Sequence, residues 1–257
     1  MGDIQSNEVQ LWLVEDQQIT EQSLLDEYKA LLNAEEQTRY ERLNFPKHQR
    51  QFLVSRALLR TVLGKYLQRP PESLVFARNA YGKPRIASFE KPLPISFNLS
   101  HTNGLSVLAV TSGDDLGVDV EYLTRKVDIL KLAQRFFSKQ EYDELAALHV
   151  KDFDERFFRL WTLKEAYIKA CGMGLAIPLK DFSFSFKQDE IAVSFAEQRN
   201  DEPAAWHFWQ FVYQSRFQLA LAQKLSRKAA RKKLVARQGK PLEDFSTFEI
   251  VGLKHSV

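Results

Sequence analysis

Apolar positions along the chain change period several times, and each change marks an element. Residues 11–14 form a short apolar run that predicts a first strand. Over 20–43 and again over 47–67 the apolar positions recur every three or four residues, as on one face of a helix, and Pro70-Pro71 stops the second. Short stretches at 74–77, 95–99, 105–111 and 118–121, punctuated by Gly, Asn and Pro, predict strands. The helical period returns over 128–136 and 138–148, where Ser138 followed by Glu141 reads as a capping box. It continues through Phe153–Cys171, closed by Gly172-Met173-Gly174. Strand patterns come next at 182–186, 191–195, 206–213 and 217–222. Helices precede strands in both halves, which predicts an α+β fold of two similar layers rather than a βαβ alternation. The second half starts near Leu116, which gives residues 1–115 and 116–223 as halves and 224–257 as an extension.

Bulk composition narrows the class. At 257 residues with 44% hydrophobic and 27% charged positions, the chain is long enough for one large core or two packed halves. No basic region followed by an apolar run opens it, and no apolar stretch reaches the length of a membrane span. Cys171 is the only cysteine, so an internal disulfide and a cysteine-cluster metal site are excluded and a reducing cytoplasm is expected. The net charge of +3 is unevenly spread. Residues 224–240 carry eight Lys and Arg and no acid, so the remainder stands at −5. The basic run is expected either as a helix that recruits acidic partners or, more simply, as a solvated extension.

Candidate chemistry concentrates in one helix and one strand. In Trp161-Thr162-Leu163-Lys164-Glu165-Ala166-Tyr167-Ile168-Lys169, the residues Trp161, Glu165 and Lys169 share a helix face. In Leu116-Gly117-Val118-Asp119-Val120-Glu121, strand alternation sends both carboxylates to one side. Taken singly these are a surface pair and a wet strand face. Together, among so many apolar neighbours, three carboxylates and a lysine form a set suited to a hard divalent cation beside a phosphate ester. Tyr81-Gly82-Lys83-Pro84 reads as a turn that presents a lysine. Phe97-Asn98-Leu99-Ser100-His101-Thr102 ends a strand with Ser and His on opposite faces, poor for mutual activation and better for holding a phosphate. Arg39, Arg42, Arg50, Arg56 and Arg60 punctuate the first helices; most such residues solvate a helix, and one or two could clamp phosphate. A metal-dependent nuclease and a nucleic-acid-binding protein remain as rivals. Against them, position 123 is Leu rather than the lysine expected two residues after the acid, and the basic run lacks interleaved aromatics.

Five of these motifs occur in a fixed order: Tyr-Gly-Lys-Pro, Phe-Asn-Leu-Ser-His-Thr, Gly-Val-Asp-Val-Glu, Arg-Phe-Phe-Ser-Lys-Gln-Glu-Tyr, and Trp-Thr-Leu-Lys-Glu-Ala-Tyr-Ile-Lys-Ala-Cys-Gly-Met-Gly-Leu. In that order the chain resembles the 4′-phosphopantetheinyl transferases of the surfactin-synthetase-activating class, from about Arg39 to Ala222. The resemblance implies two pseudo-symmetric α+β halves with coenzyme A and Mg²⁺ bound where they join, a carrier-protein substrate and a monomer without nucleic acid. It implies Asp119, Glu121 and Glu165 as magnesium ligands, with Glu165 and Lys169 at the chemistry. Lys83, Ser100, His101 and Lys169 are implied as contacts to coenzyme A phosphates, as are Arg39 and Arg56. Glu36 falls where some members have a further phosphate-binding lysine, so that contact is expected to be absent. Trp161 is expected to pack, and Phe136, Phe137 and Tyr142 to border the carrier surface. Residues beyond 223 lie outside the resemblance.

Overall fold

The computed structural model describes residues 5, 7–87, 95–113, 115–123, 128–187, 190–225 and 232–256. Along the chain run β1 (Glu8–Val14), α1 (Gln22–Ala30), α2 (Ala34–Glu41), α3 (Pro46–Leu67), β2 (Phe76–Arg78), β3 (Pro84–Ile86), β4 (Ile95–Thr102) and β5 (Leu105–Ser112). Next come β6 (Leu116–Tyr122), α4 (Ile129–Phe136), α5 (Lys139–Ala146), α6 (Phe153–Cys171), β7 (Phe182–Lys187), β8 (Glu190–Phe195), β9 (Trp206–Tyr213) and β10 (Phe217–Lys224). Three more strands complete the chain: β11 (Lys233–Gly239), β12 (Phe245–Phe248) and β13 (Lys254–Ser256). The fold is α+β and divides into two compact units.

The first unit comprises Met1–Arg78, Pro84–Gly113 and Lys232–Glu249. Its sheet has the order β12-β11-β1-β5-β4, with β1 and β11 parallel and the other pairs antiparallel. Leu53, Val54, Leu58 and Val62 of α3 pack with Trp12, Leu108 and Val110 of the sheet. The continuous helix expected over 20–43 is two helices. Asn33 breaks it, because its side chain accepts from Glu36 N while the Glu36 carboxylate accepts from Asn33 N, a reciprocal cap that restarts the helix.

The second unit comprises Asn79–Lys83, Asp114–Arg231 and Ile250–Val257. Its sheet has the order β6-β10-β9-β13-β8-β7. The apolar stripe of α6, with Phe158, Leu163, Ala166, Tyr167 and Ala170, is buried together with Phe208, Ala220 and Ala222 of the sheet. Such a stripe on a half-covered sheet is the main source of stability for a helix of this length.

The expectation for 224–257 is corrected. Residues 226–231, which include Arg227, Lys228 and Arg231, lie outside the described residues. Residues 232–256 are neither a helix nor an extension: β11 pairs with β1 from Glu8↔Lys233 to Leu13↔Gln238, and β13 lies between β8 and β9. Two of the basic side chains are used internally. Lys232 is buried and donates to Thr111 Oγ1 (3.0 Å) and Ser112 O (2.5 Å). Arg237 lies over the Trp12 ring at 5.0 Å and donates to Gln10 Oε1 at 2.8 Å.

Candidate active site

Glycine at position 117 decides the geometry. A Cβ there would stand 2.1 Å from Ala166 O and 2.4 Å from Ala170 N, so the backbone of α6 touches the backbone of β6 at that point. No other residue type permits that approach. Two residues along the strand from the contact is Asp119, and around it on the helix are Glu165 and Lys169.

The expected group is brought together in part. Asp119 is buried, 4% exposed, and its Oδ1 accepts from Lys169 Nζ at 2.6 Å. Glu121, two residues on, is half-buried. Burial pushes the Glu165 carboxyl up to about 7; the Asp119 charge adds to this, Lys169 opposes it, and Glu121 adds a smaller push. A carboxyl poised there can hold a proton or give it up near neutrality, which is what general acid–base work needs. The pairing of Lys169 with Asp119 was not anticipated from the sequence. Among the described residues, no three His, Cys, Asp or Glu side chains stand gathered tightly enough to hold a metal ion as they are. Trp161 packs as expected, stacked on Phe157 and edge-on to Phe136.

Lys164, about a quarter-turn around α6 from Glu165, was missed. Its ammonium is fully buried, pairs with Glu141 Oε2 at 2.7 Å, and donates to Leu179 O (2.7 Å) and Phe182 O (2.6 Å). Glu141 also accepts from Phe184 N and caps α5 through Ser138 N. This pair therefore locks α6 to α5 and β7 and sets the rotation that turns Glu165 toward Asp119. The signal was present: Leu160 and Ile168, one turn to either side, place Lys164 on the apolar face. Removing one partner of such a pair leaves a bare buried charge. Lys164→Met is expected to lose about 3–5 kcal/mol in urea unfolding, with part of that recovered when Glu141→Gln is added. A loss under about 1 kcal/mol would show the pair to be ornamental.

Ser100 and His101 end β4, the outer strand of the first unit's sheet, opposite Val107 and Ser106. Ser100 is buried and His101 exposed, so they face opposite ways, as the strand alternation requires. Arg39 on α2 and Arg56 on α3 lie against the same Phe52 ring, at 5.6 and 5.5 Å. Arg56 is pushed down by burial, partly offset by Glu36, with Arg39, Arg78 and Arg60 adding to the depression. Glu36 binds Arg60 at 2.6 Å and Arg56 at 3.7 Å, so it serves here as a counter-charge. Arg60, fully buried, also donates to Pro71 O and Leu74 O and is a structural residue.

The turn expected at Tyr81–Pro84 lies between β2 and β3 and presents Lys83 to backbone. Its ammonium turns inward and donates to Ala170 O (2.8 Å) and Leu116 O (3.2 Å), since the last carbonyls of a helix seek donors that the helix cannot supply.

Comparison with known proteins gives the family. Residues 115–222 match the 4′-phosphopantetheinyl transferase superfamily, and residues 20–113 match the family described as 4′-phosphopantetheinyl transferase, N-terminal. The chain is similar to the 4′-phosphopantetheinyl transferase HetI of Nostoc sp., 36% identical over 208 residues, which is 80% of this chain and 84% of that one. It is also similar to the 4′-phosphopantetheinyl transferase Sfp of Bacillus subtilis, 33% identical over 168 residues, 64% of this chain and 70% of that one. Among solved structures it is similar to Thermotoga maritima holo-[acyl-carrier-protein] synthase at a TM-score of 0.37 and 22% identity, over 49% of this chain and 69% of that one. That likeness is too distant to bear on the site. With both units matched and a relative above one-third identity along most of its length, the chain belongs to the 4′-phosphopantetheinyl transferase family and is an enzyme that moves phosphopantetheine onto carrier proteins.

Proposed function

We propose that this enzyme takes the 4′-phosphopantetheine arm from coenzyme A, places it on a serine of an apo-carrier protein, and releases 3′,5′-adenosine bisphosphate. The observation that carries this reading is the contact of α6 with β6 at Gly117, which makes Asp119, Glu165 and Lys169 neighbours. The donor set suits Mg²⁺ in its chemistry: three carboxylates, no sulfur and no imidazole, with Glu165 held high by burial and then by its anionic neighbours. Asp119, Glu121 and Glu165 would hold that ion, which when bound supplies charge neutralisation at the pyrophosphate.

The chain's own residues do the rest. Glu165, directly or through a water, takes the proton from the hydroxyl oxygen of the carrier serine as that oxygen attacks phosphorus. Lys169 stabilises the phosphate oxygens as charge builds on them. Ser100, His101, Arg39 and Arg56 are the candidate contacts to coenzyme A phosphates; Lys83, engaged by backbone carbonyls, is left out of this set. Asp119 and Glu165 are thus both ligand and electrostatic partners, while Trp161 and Lys164 hold their helix.

The test is direct. The protein is mixed with coenzyme A, Mg²⁺ and a panel of apo-carriers from fatty-acid, polyketide and nonribosomal-peptide systems, and each carrier is weighed. A gain of one phosphopantetheine group, lost when EDTA is added, is the expected result. Failure to modify any carrier class would end this reading, and transfer that survives EDTA would remove the metal from it.

A further inference from the structure

The five residues Asn79–Lys83 form the turn between β2 and β3, and they count with the second unit although both flanking strands count with the first. The turn is internally fixed. Asn79 N donates to Lys83 O, Gly82 N donates to Asn79 O, and Asn79 Oδ1 accepts from both Tyr81 N and Lys83 N at 2.9 Å. Gly82 takes the left-handed conformation, at φ 90°.

The side-chain donors of Asn79 and Lys83 both go to backbone. Asn79 Nδ2 donates to Gly172 O at 2.7 Å, and Lys83 Nζ donates to Ala170 O and to Leu116 O. These are carbonyls at the C-terminal end of α6 and at the first residue of β6. The end of a helix carries unsatisfied carbonyls and partial negative charge, so a half-buried ammonium there is doubly placed. Burial pushes the Lys83 ammonium down, against the pull of Asp115 and Cys171. Gly172 completes the fit: it is left-handed at φ 70°, and a Cβ on it would stand 2.9 Å from Lys83 Cδ and 3.2 Å from Asn79 Nδ2.

One ammonium thus bridges the two backbone segments that carry the reacting groups. Ala170 comes directly after Lys169, and Leu116 lies three residues before Asp119. We propose that Lys83 is a positioning residue, which with Asn79 clamps the end of α6 to the start of β6 and so sets the spacing of Asp119 to Glu165 and Lys169, and that it is not a phosphate ligand. This rests on the reading of those three residues as the reacting set.

A phosphate ligand and a clamp leave different signatures in the full-length enzyme. Lys83→Met and Asn79→Ala are compared with the parent in steady-state transfer at saturating carrier with coenzyme A varied. Hydrogen exchange is followed by mass spectrometry across 115–121 and 166–173. A clamp predicts faster exchange in those segments in both variants, with kcat down about ten-fold in Lys83→Met and the KM for coenzyme A within about three-fold. Asn79 carries no charge to give a phosphate, so the same pattern in Asn79→Ala, smaller in size, points to the clamp alone. That variant loses the Asn79 bond to Gly172 O and the two bonds within the turn but keeps the Lys83 ammonium with its two carbonyl partners, so it keeps the test open if Lys83→Met does not fold. Unchanged exchange across 166–173 in a folded variant overturns the proposal, as does a KM rise of about ten-fold with kcat within about two-fold. If the parent itself transfers nothing, the functional reading falls while the exchange result still decides whether the clamp exists.

Discussion

A chain ended after Ala222 is expected to be recovered as aggregate rather than as soluble enzyme. The cut removes β11, which sits inside the first unit's sheet between β12 and β1, and β13, which sits inside the second unit's sheet between β9 and β8. It leaves β1 with one side open along Val9, Leu11 and Leu13, a row of unpaired backbone groups on an apolar strand. It also strips cover from Trp12, which meets Phe245 edge-on at 4.9 Å, and from Tyr28, whose hydroxyl donates to Pro241 O at 2.9 Å. Only ~5–15 kcal/mol holds an ordinary domain together, so a sheet that loses internal strands is not expected to stay folded. The check is recovery from the soluble fraction, together with near-ultraviolet circular dichroism. A truncated chain that stayed soluble, kept its tertiary signal and still modified carrier would overturn this account of the C-terminal strands.

Asp119→Ala is expected to remove transfer, by at least the ~10²–10³-fold that loss of one preorganised electrostatic partner brings. The fold should survive. Asp119's ionic partner, Lys169, is 28% exposed and can turn to water, so no bare charge is trapped. This separates Asp119 from Lys164, whose loss acts through stability. Lys169→Ala leaves the carboxylates in place and should reduce transfer less, chiefly by weakening the use of coenzyme A. Rates at saturating Mg²⁺ and thermal midpoints for the two variants provide the measurement. An Asp119→Ala enzyme working within about ten-fold of the parent would remove Asp119 from the reacting set.

Local rules carried far in this sequence. The run from Phe153 to Cys171 and its glycine stop were legible because helix period and a left-handed C-terminal residue are both local. The Ser138–Glu141 cap was legible for the same reason. So was the shared side of Asp119 and Glu121, since strand alternation needs no partner to be known. Three features were not legible. The pairing of Lys169 with Asp119 depends on how close two backbones come, and only Gly117 hints at that. The inward turn of Lys83 depends on where α6 ends in space. The strand at 233–239 was hidden by its charges. Counting Lys and Arg suggested a tail, whereas the aliphatic stems of Lys232 and Arg237 pack inside and their heads find Thr111, Ser112 and Gln10. A parallel partner from the far end of the chain leaves no mark on the local pattern.

That distance has a consequence in time. Gln10 and Arg237, which hydrogen-bond across β1 and β11, are 227 residues apart. At about 5–20 residues per second, a ribosome needs about 11–45 s to make the stretch between them. Through that interval β11, the partner on one edge of β1, does not yet exist. The first unit therefore cannot close its sheet during synthesis, and its folding is non-local and slow by nature. The nascent chain carries β1 with β5 on one edge and the other edge open until residues 233–238 are made.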